Sequence, residues 1–263
     1  MPDFFTSIFA PGHWPIFALV SARLGGFMTM APLWSITALP KTARAALTVL
    51  LSVLLMPGVH ASALPESWVM LPLPLASEMA IGIVIGLTAA VIVQGLTLAG
   101  EVLSIQMGLN LGPALGPMPD LEVSGLGQLQ SLLALTVYVS IGGHLMLLSA
   151  FADSLRVLPP GGAIDFDRGG HAVMSVFPML YSCALRAAAP VMITLLLSNL
   201  ALAILSRAVP QLNTMMVSLP VMTALGLMMF GAALPLIATA VRGWMEAMPG
   251  TSSHLVQALR PAP

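Results

Sequence analysis

The chain has 263 residues, 58% of them hydrophobic and only 7% charged, with a formal net charge of −1. A soluble domain carries roughly 25% charged residues, so the composition excludes an ordinary globular protein, a disordered chain and a nucleic-acid binder built on clustered Lys and Arg. The near-zero net charge also gives no pull towards polyanions or acidic substrates. Six hydrophobic segments are expected, at roughly 14–31, 42–57, 73–99, 126–151, 173–206 and 212–242. A spanning helix needs about 20 mostly apolar residues, and each segment is apolar around its whole circumference. The expected fold is an all-α membrane protein of about six long hydrophobic helices, partly broken by proline and arranged as hairpins. It forms one domain with its core at 10–245 and a short tail at 246–263.

In chain order, Asp3 is the only charged side chain before Arg23. No basic stretch precedes the apolar run, so a cleaved signal peptide is not expected at the N-terminus. Pro32 and Pro40 punctuate the link to the second segment, and Pro57-Gly58 and Pro65 the link to the third. Gly82 and Gly86 in the third segment make a small-xxx-small face that lets another backbone approach closely. Gly108, Gly112 and Gly116 continue the spacing beyond that segment, but Pro113, Pro117 and Pro119 fall among them. An irregular loop over 108–124 is therefore expected. Its Met107, Leu109, Leu111, Leu115 and Met118 are unusually apolar for a solvated connection, which suggests a plug or buried insertion. The fifth segment holds Pro178, Arg186 and Pro190, and the sixth holds Pro220 and Pro235. Both are too long for one simple span, so they read either as broken hairpins or as proline-kinked single helices.

Orientation is not decided by charge. With the N-terminus outside, the inner loops hold Lys41, Arg44 and Arg207, against Arg156, Arg168, Arg242 and Arg260 outside. Charged groups within apolar segments are costly at membrane depth and face protein or a cavity. Arg23, Glu101 and Arg207 lie near segment ends, where long side chains can snorkel to the interface. Glu78 and Arg186 lie deeper, and a pair between them or with another chain is expected. Methionine is abundant, at 19 residues, and thioethers fill irregular gaps. No enzyme motif is visible: there is no HExxH, GxSxG, nucleotide-binding glycine loop or nucleophile with its base. The single cysteine, Cys183, allows no internal disulfide and no Cys-based metal site. The histidines sit singly, and His144, after Gly142-Gly143, reads as structural. The chain is thus expected to be no enzyme and to need no cofactor or metal. A small secondary transporter remains the rival, with Asn199, Arg186 and Glu78 as its only candidate polar site and no internal repeat.

Five stretches in order resemble the FliR/SctT family of the type III export apparatus. They are Leu39-Pro40-Lys41-Thr42-Ala43-Arg44; Gly100-Glu101 through Gln106-Met107-Gly108-Leu109; Gly142-Gly143-His144-Leu145; the 154–159 stretch; and Asn199-Leu200-Ala201-Leu202 continuing through Arg207, Pro210, Gln211, Leu212 and Asn213. Two stretches depart from the family pattern. Gly112-Pro113 and Pro119-Asp120 stand where an aspartate–proline is usual, and Pro159-Pro160-Gly161-Gly162 replaces a single-proline turn. The resemblance implies an inner-membrane, multi-pass subunit of the flagellar basal body, assembled with FliP-like and FliQ-like subunits in a helical gate. FlhB-like and FlhA-like proteins lie beside it, membrane lipid surrounds it, and unfolded export substrates pass through it; no nucleic acid is involved. It also implies that Gln106, Met107, Gly108, Gly112, Pro113, Gly116 and Pro117 belong to the loop that closes the channel. Pro40, Arg44, Glu78, Glu101, His144, Arg186, Asn199, Arg207, Pro210, Gln211 and Asn213 are then motif or interface positions. The injectisome counterpart of SctT type is the alternative, and the Gln-Met-Gly signature leans towards the flagellar form.

Overall fold

The structure, a computed structural model, describes residues 14–35, 40–59, 71–109, 124–209 and 214–260. Among these, the regular elements are helical. They are α1 (Trp14–Met30), α2 (Lys41–Leu55, extended by a 3-10 turn at Met56–Gly58), α3 (Pro72–Gln106), α4 (Gly125–Ser140), α5 (Gly143–Val157), α6 (Phe166–Met174), α7 (Phe177–Ala208) and α8 (Thr214–Ala258). The expected all-α membrane fold is therefore present. Four described helical stretches are long and apolar enough to cross a membrane, or five if the bent pair α4 and α5 is counted as one span.

The breaks fall elsewhere than expected. The fourth hydrophobic segment is two helices, because Gly142 takes a φ of +73°. That left-handed conformation suits glycine. It ends α4 and turns the Gly142 carbonyl towards Leu145 N and Met146 N, 2.9 and 3.1 Å away, to start α5. The fifth segment breaks only at Ser175–Val176. Pro178 explains this: it has no N–H for the Met174 carbonyl, and its ring crowds that carbonyl. Pro190 lies inside an unbroken α7, and Pro220 and Pro235 inside an unbroken α8 of 45 residues. The hairpin reading of these two segments is thus corrected. One missing bond per proline interrupts a long ladder without ending it. Most of the tail expected after 245 is the end of α8, where Met248, Leu255 and Val256 are buried, and Leu259 just past the helix is buried too.

The chain forms two compact units. The first is Met1–Val91, Gly142–Phe177 and Met245–Pro263; the second is Ile92–Ile141 and Pro178–Trp244. In the first unit α1 lies against the first half of α3 at glycine distance. A Cβ at Gly82 would collide with the Arg23 carbonyl, one at Gly26 with the Met79 carbonyl, and one at Gly86 would come within 2.9 Å of the Phe27 carbonyl. The small-residue face read at Gly82 and Gly86 is this contact, with Gly26 answering from α1. Close backbones bring the flanking Leu19, Leu24, Phe27, Ile81 and Ile85 into full burial, and Phe27 packs on Phe151 of α5 with ring centroids 5.1 Å apart. The second unit repeats the device. A Cβ at Gly95 would stand 2.8 Å from the Leu180 carbonyl on α7, and one at Gly100 would stand 2.5 Å from Gly127 Cα on α4.

Candidate functional site

Two polar arrangements stand out in this apolar chain, one in each unit. In the second unit the end of α3 and the start of α4 are tied together. Glu101 Oε1 accepts from Ser124 N at 2.6 Å, and Ser124 Oγ accepts from Gly127 N at 3.0 Å as the N-cap of α4. A carboxylate beside the free N–H groups of a helix start is favourable both as a hydrogen-bond acceptor and against the helix dipole. Just beyond, α3 closes with Met107 and Gly108. Gly108 takes a φ of +73°, and Leu109 N donates to the Ser104 carbonyl at 2.9 Å. The Met107 side chain is fully buried, wrapped over Gly226 of α8, where a Cβ would stand 2.6 Å from Met107 Cγ. Thr223 Oγ1 donates to the Met107 carbonyl at 2.8 Å. Both ends of the 110–123 stretch are therefore fixed: one by the Met107–Gly226 seat, the other by the Glu101–Ser124 tie.

This geometry revises the loop expectation at its start. Gln106 is exposed, but Met107 is an anchor packed inside the unit rather than a plug side chain. Gly112, Pro113, Gly116 and Pro117 lie outside the described residues, as do Pro210, Gln211 and Asn213.

In the first unit the structure corrects two expectations about charge. Arg23 does not snorkel; it is fully buried. Glu78 does not pair with Arg186 or reach outside the chain; its Oε2 accepts from Arg23 Nε at 2.5 Å. Arg23 Nη1 also donates to the Ser154 carbonyl at 3.0 Å, and Nη2 to the Leu158 carbonyl at 2.8 Å. Glu78 Oε1 accepts from Gly161 N at 3.0 Å. Gly161 takes a φ of +79°, so the Pro-Pro-Gly-Gly departure from the family's turn is the device that aims this N–H. The clamp thus joins α1, α3, the end of α5 and the 159–162 turn. Its geometry explains how two charges can be buried: the guanidinium and carboxylate satisfy each other and three backbone groups.

A sequence signal for the pair existed. Arg23 lies three residues before Gly26 and Glu78 four before Gly82, so each charge sits one turn from a close-contact glycine on the same face. Of the remaining expected positions, Pro40 caps α2 with its carbonyl accepting from Arg44 N at 3.1 Å. Arg44 is half-buried, and His144 is half-buried in the first turn of α5. Arg186, Asn199 and Arg207 are all exposed along α7. Glu78, which the transporter reading needed, is taken up by Arg23 and Gly161 N within its own unit. Among the described residues no three His, Cys, Asp or Glu side chains converge.

The profile of the family described as bacterial export proteins, family 1, matches residues 14–248. The chain belongs to this family. Among its relatives, the flagellar biosynthetic protein FliR of Escherichia coli K12 is 28% identical over 225 residues, covering 86% of this chain and 84% of that protein. The Bacillus subtilis 168 protein of the same name is 26% identical over 234 residues, covering 87% and 89%. The secretion system apparatus protein SsaT of Salmonella typhimurium LT2 is 30% identical over 152 residues, covering 57% and 59%. The matched span of the export family contains both polar arrangements, all of α1 to α7 and most of α8. The resemblance drawn from the five sequence stretches and the family agree.

Proposed function

We propose that this chain is an inner-membrane subunit of the flagellar type III protein export gate, a single functional unit that forms part of the wall of the pore for unfolded flagellar subunits. The observation that carries this reading is the family match over 14–248, joined to FliR relatives aligned over more than four-fifths of both chains. The physics of the surface supports it. Along α7, Leu185, Ile193, Leu196, Leu200 and Ile204 are each 58–69% exposed, more contiguous apolar area than a protein leaves to water. FliP-like and FliQ-like subunits and lipid would cover it, with FlhB-like and FlhA-like proteins alongside. In this reading the chain makes and breaks no bonds; energy enters from elsewhere in the apparatus. The 110–123 stretch closes the lumen, held at both ends by the Met107–Gly226 and Glu101–Ser124 contacts.

Deleting the gene in its own bacterium tests the assignment. Hook and filament subunits are expected to vanish from the culture supernatant and to return with a plasmid copy. Undiminished flagellar export would overturn it. Loss of injectisome secretion with flagella intact would instead assign the chain to the SctT-type apparatus, the reading that the SsaT relative favours.

A further inference from the structure

Helix α7 has two opposite faces. Cys183, Ala187, Val191 and Leu195 lie on one and are buried. On the other, Arg186, Ile193, Leu200 and Arg207 follow one another every seven residues, and all four are exposed. Leu196 and Ala203 stand three residues after Ile193 and Leu200 and are exposed too. Such a three-and-four spacing repeated every seven residues is the seam along which another helix lies, and a small side chain such as Ala203 lets two backbones come close. One charge sits deep in this seam. Arg186 is the only acidic or basic side chain between Arg168 and Arg207. It stands about 13 Å beyond the start of α7 and about 30 Å before Arg207, within a stretch, Asp167–Ala208, that is long and apolar enough to cross a membrane. Among the described residues Arg186 makes no ion pair. A guanidinium at that depth is costly against hydrocarbon and calls for protein opposite it.

We propose that the Arg186 face of α7 is the docking seam for a membrane-embedded helix of another gate subunit, and that this helix carries an Asp or Glu opposite Arg186. A carboxylate answers a guanidinium in an apolar interface because it cancels the charge and accepts two parallel N–H bonds. The rest of the seam between the two arginines, at Ile193, Leu196 and Leu200, is apolar, so the partner helix is apolar except for that acid. A second copy of this chain does not supply the acid through the same face, since α7 holds no Asp or Glu. The inference rests on the export-gate reading and adds what one partner must present to this chain.

The test places a photoreactive amino acid at Leu185 or Ile193 of the full-length protein in the deletion strain. Illumination is expected to join both positions to one protein, through an apolar segment that holds an Asp or Glu within about two turns of the linked residue. Arg186→Glu is then expected to cut the amount of that subunit co-purifying with the tagged chain at least about tenfold, with the tagged chain itself undiminished in the membrane. Exchanging the mapped acid for arginine restores the pair, and Arg186→Lys retains most of it. Flagellar export by each labelled protein is scored separately, so a failed export-gate assignment shows there and a failed seam shows in the linked segment. Links to lipid alone, links to a segment without an acid, or an Arg186→Glu protein that keeps its partner overturn the proposal.

Discussion

Arg23→Ala is expected to cost about 3–5 kcal/mol and to strip most of the protein from the membrane fraction. Breaking a buried pair leaves the Glu78 carboxylate uncompensated in an apolar interior, and a domain's total stability is only about 5–15 kcal/mol. Glu78→Ala should do the same from the other side. The clamp extends beyond two charges, because Arg23 also satisfies the Ser154 and Leu158 carbonyls and Glu78 the Gly161 N–H. Replacing both residues with leucine is therefore not neutral: the Leu158 carbonyl and the Gly161 N–H lose their partners, at about 1–3 kcal/mol each, while the Ser154 carbonyl keeps its bond from Leu158 N. Arg186→Ala is the comparison, since that side chain is exposed within the chain. Quantitative blotting after a synthesis chase, with thermal aggregation of the detergent-extracted protein, measures the effect. An Arg23→Ala protein as abundant and as heat-stable as the parent would show that the pair does not hold α1, α3 and α5 together.

Removing residues 110–120 should open an ion leak through the assembled gate while leaving the subunit in place. The anchors lie outside the deletion: Met107 stays seated on Gly226 and Ser124 stays tied to Glu101. Leu121-Glu122-Val123 then bridges Leu109 to Ser124. Those four links reach about 13 Å when extended, and the eight residues from Glu101 to Leu109 rise about 12 Å along the helix direction. The bridge can close only when nearly fully extended. Membrane conductance of cells or vesicles carrying the complete gate is expected to rise severalfold over the parent, with subunit amount unchanged. A gate that stays tight after the deletion contradicts the closing role of this stretch.

The fold class was legible because 7% charge in 263 residues leaves only a membrane solution. The hydrophobic segments marked the helices well, and the Gly82–Gly86 face was a true contact. What stayed hidden were choices made by packing. Arg23 read as an interfacial residue because it lies near a segment end. Its burial follows only when Gly26 brings α1 against α3, and when Ser154 and Leu158 arrive from 131 and 135 positions along the chain. Glu78 then has a partner inside the chain. Proline misled in α7 and α8 because the sequence shows the missing N–H but not how many intact bonds flank it. Gly142 was noticed as a motif residue, yet its positive φ, which splits the fourth segment, is a property of the backbone it sits in. Met107 was read as a soft plug side chain; only the absent side chain at Gly226, far along the chain on α8, makes room to bury it.

The central claim is that this chain is one wall piece of a multi-subunit export gate. Extraction of the tagged protein from its own bacterium in mild detergent, followed by mass spectrometry of the single purified particle, tests it most directly. The account predicts FliP-like and FliQ-like subunits in fixed ratio to the tagged chain, with the α7 surface covered. A stable, monodisperse particle containing this chain alone would contradict it.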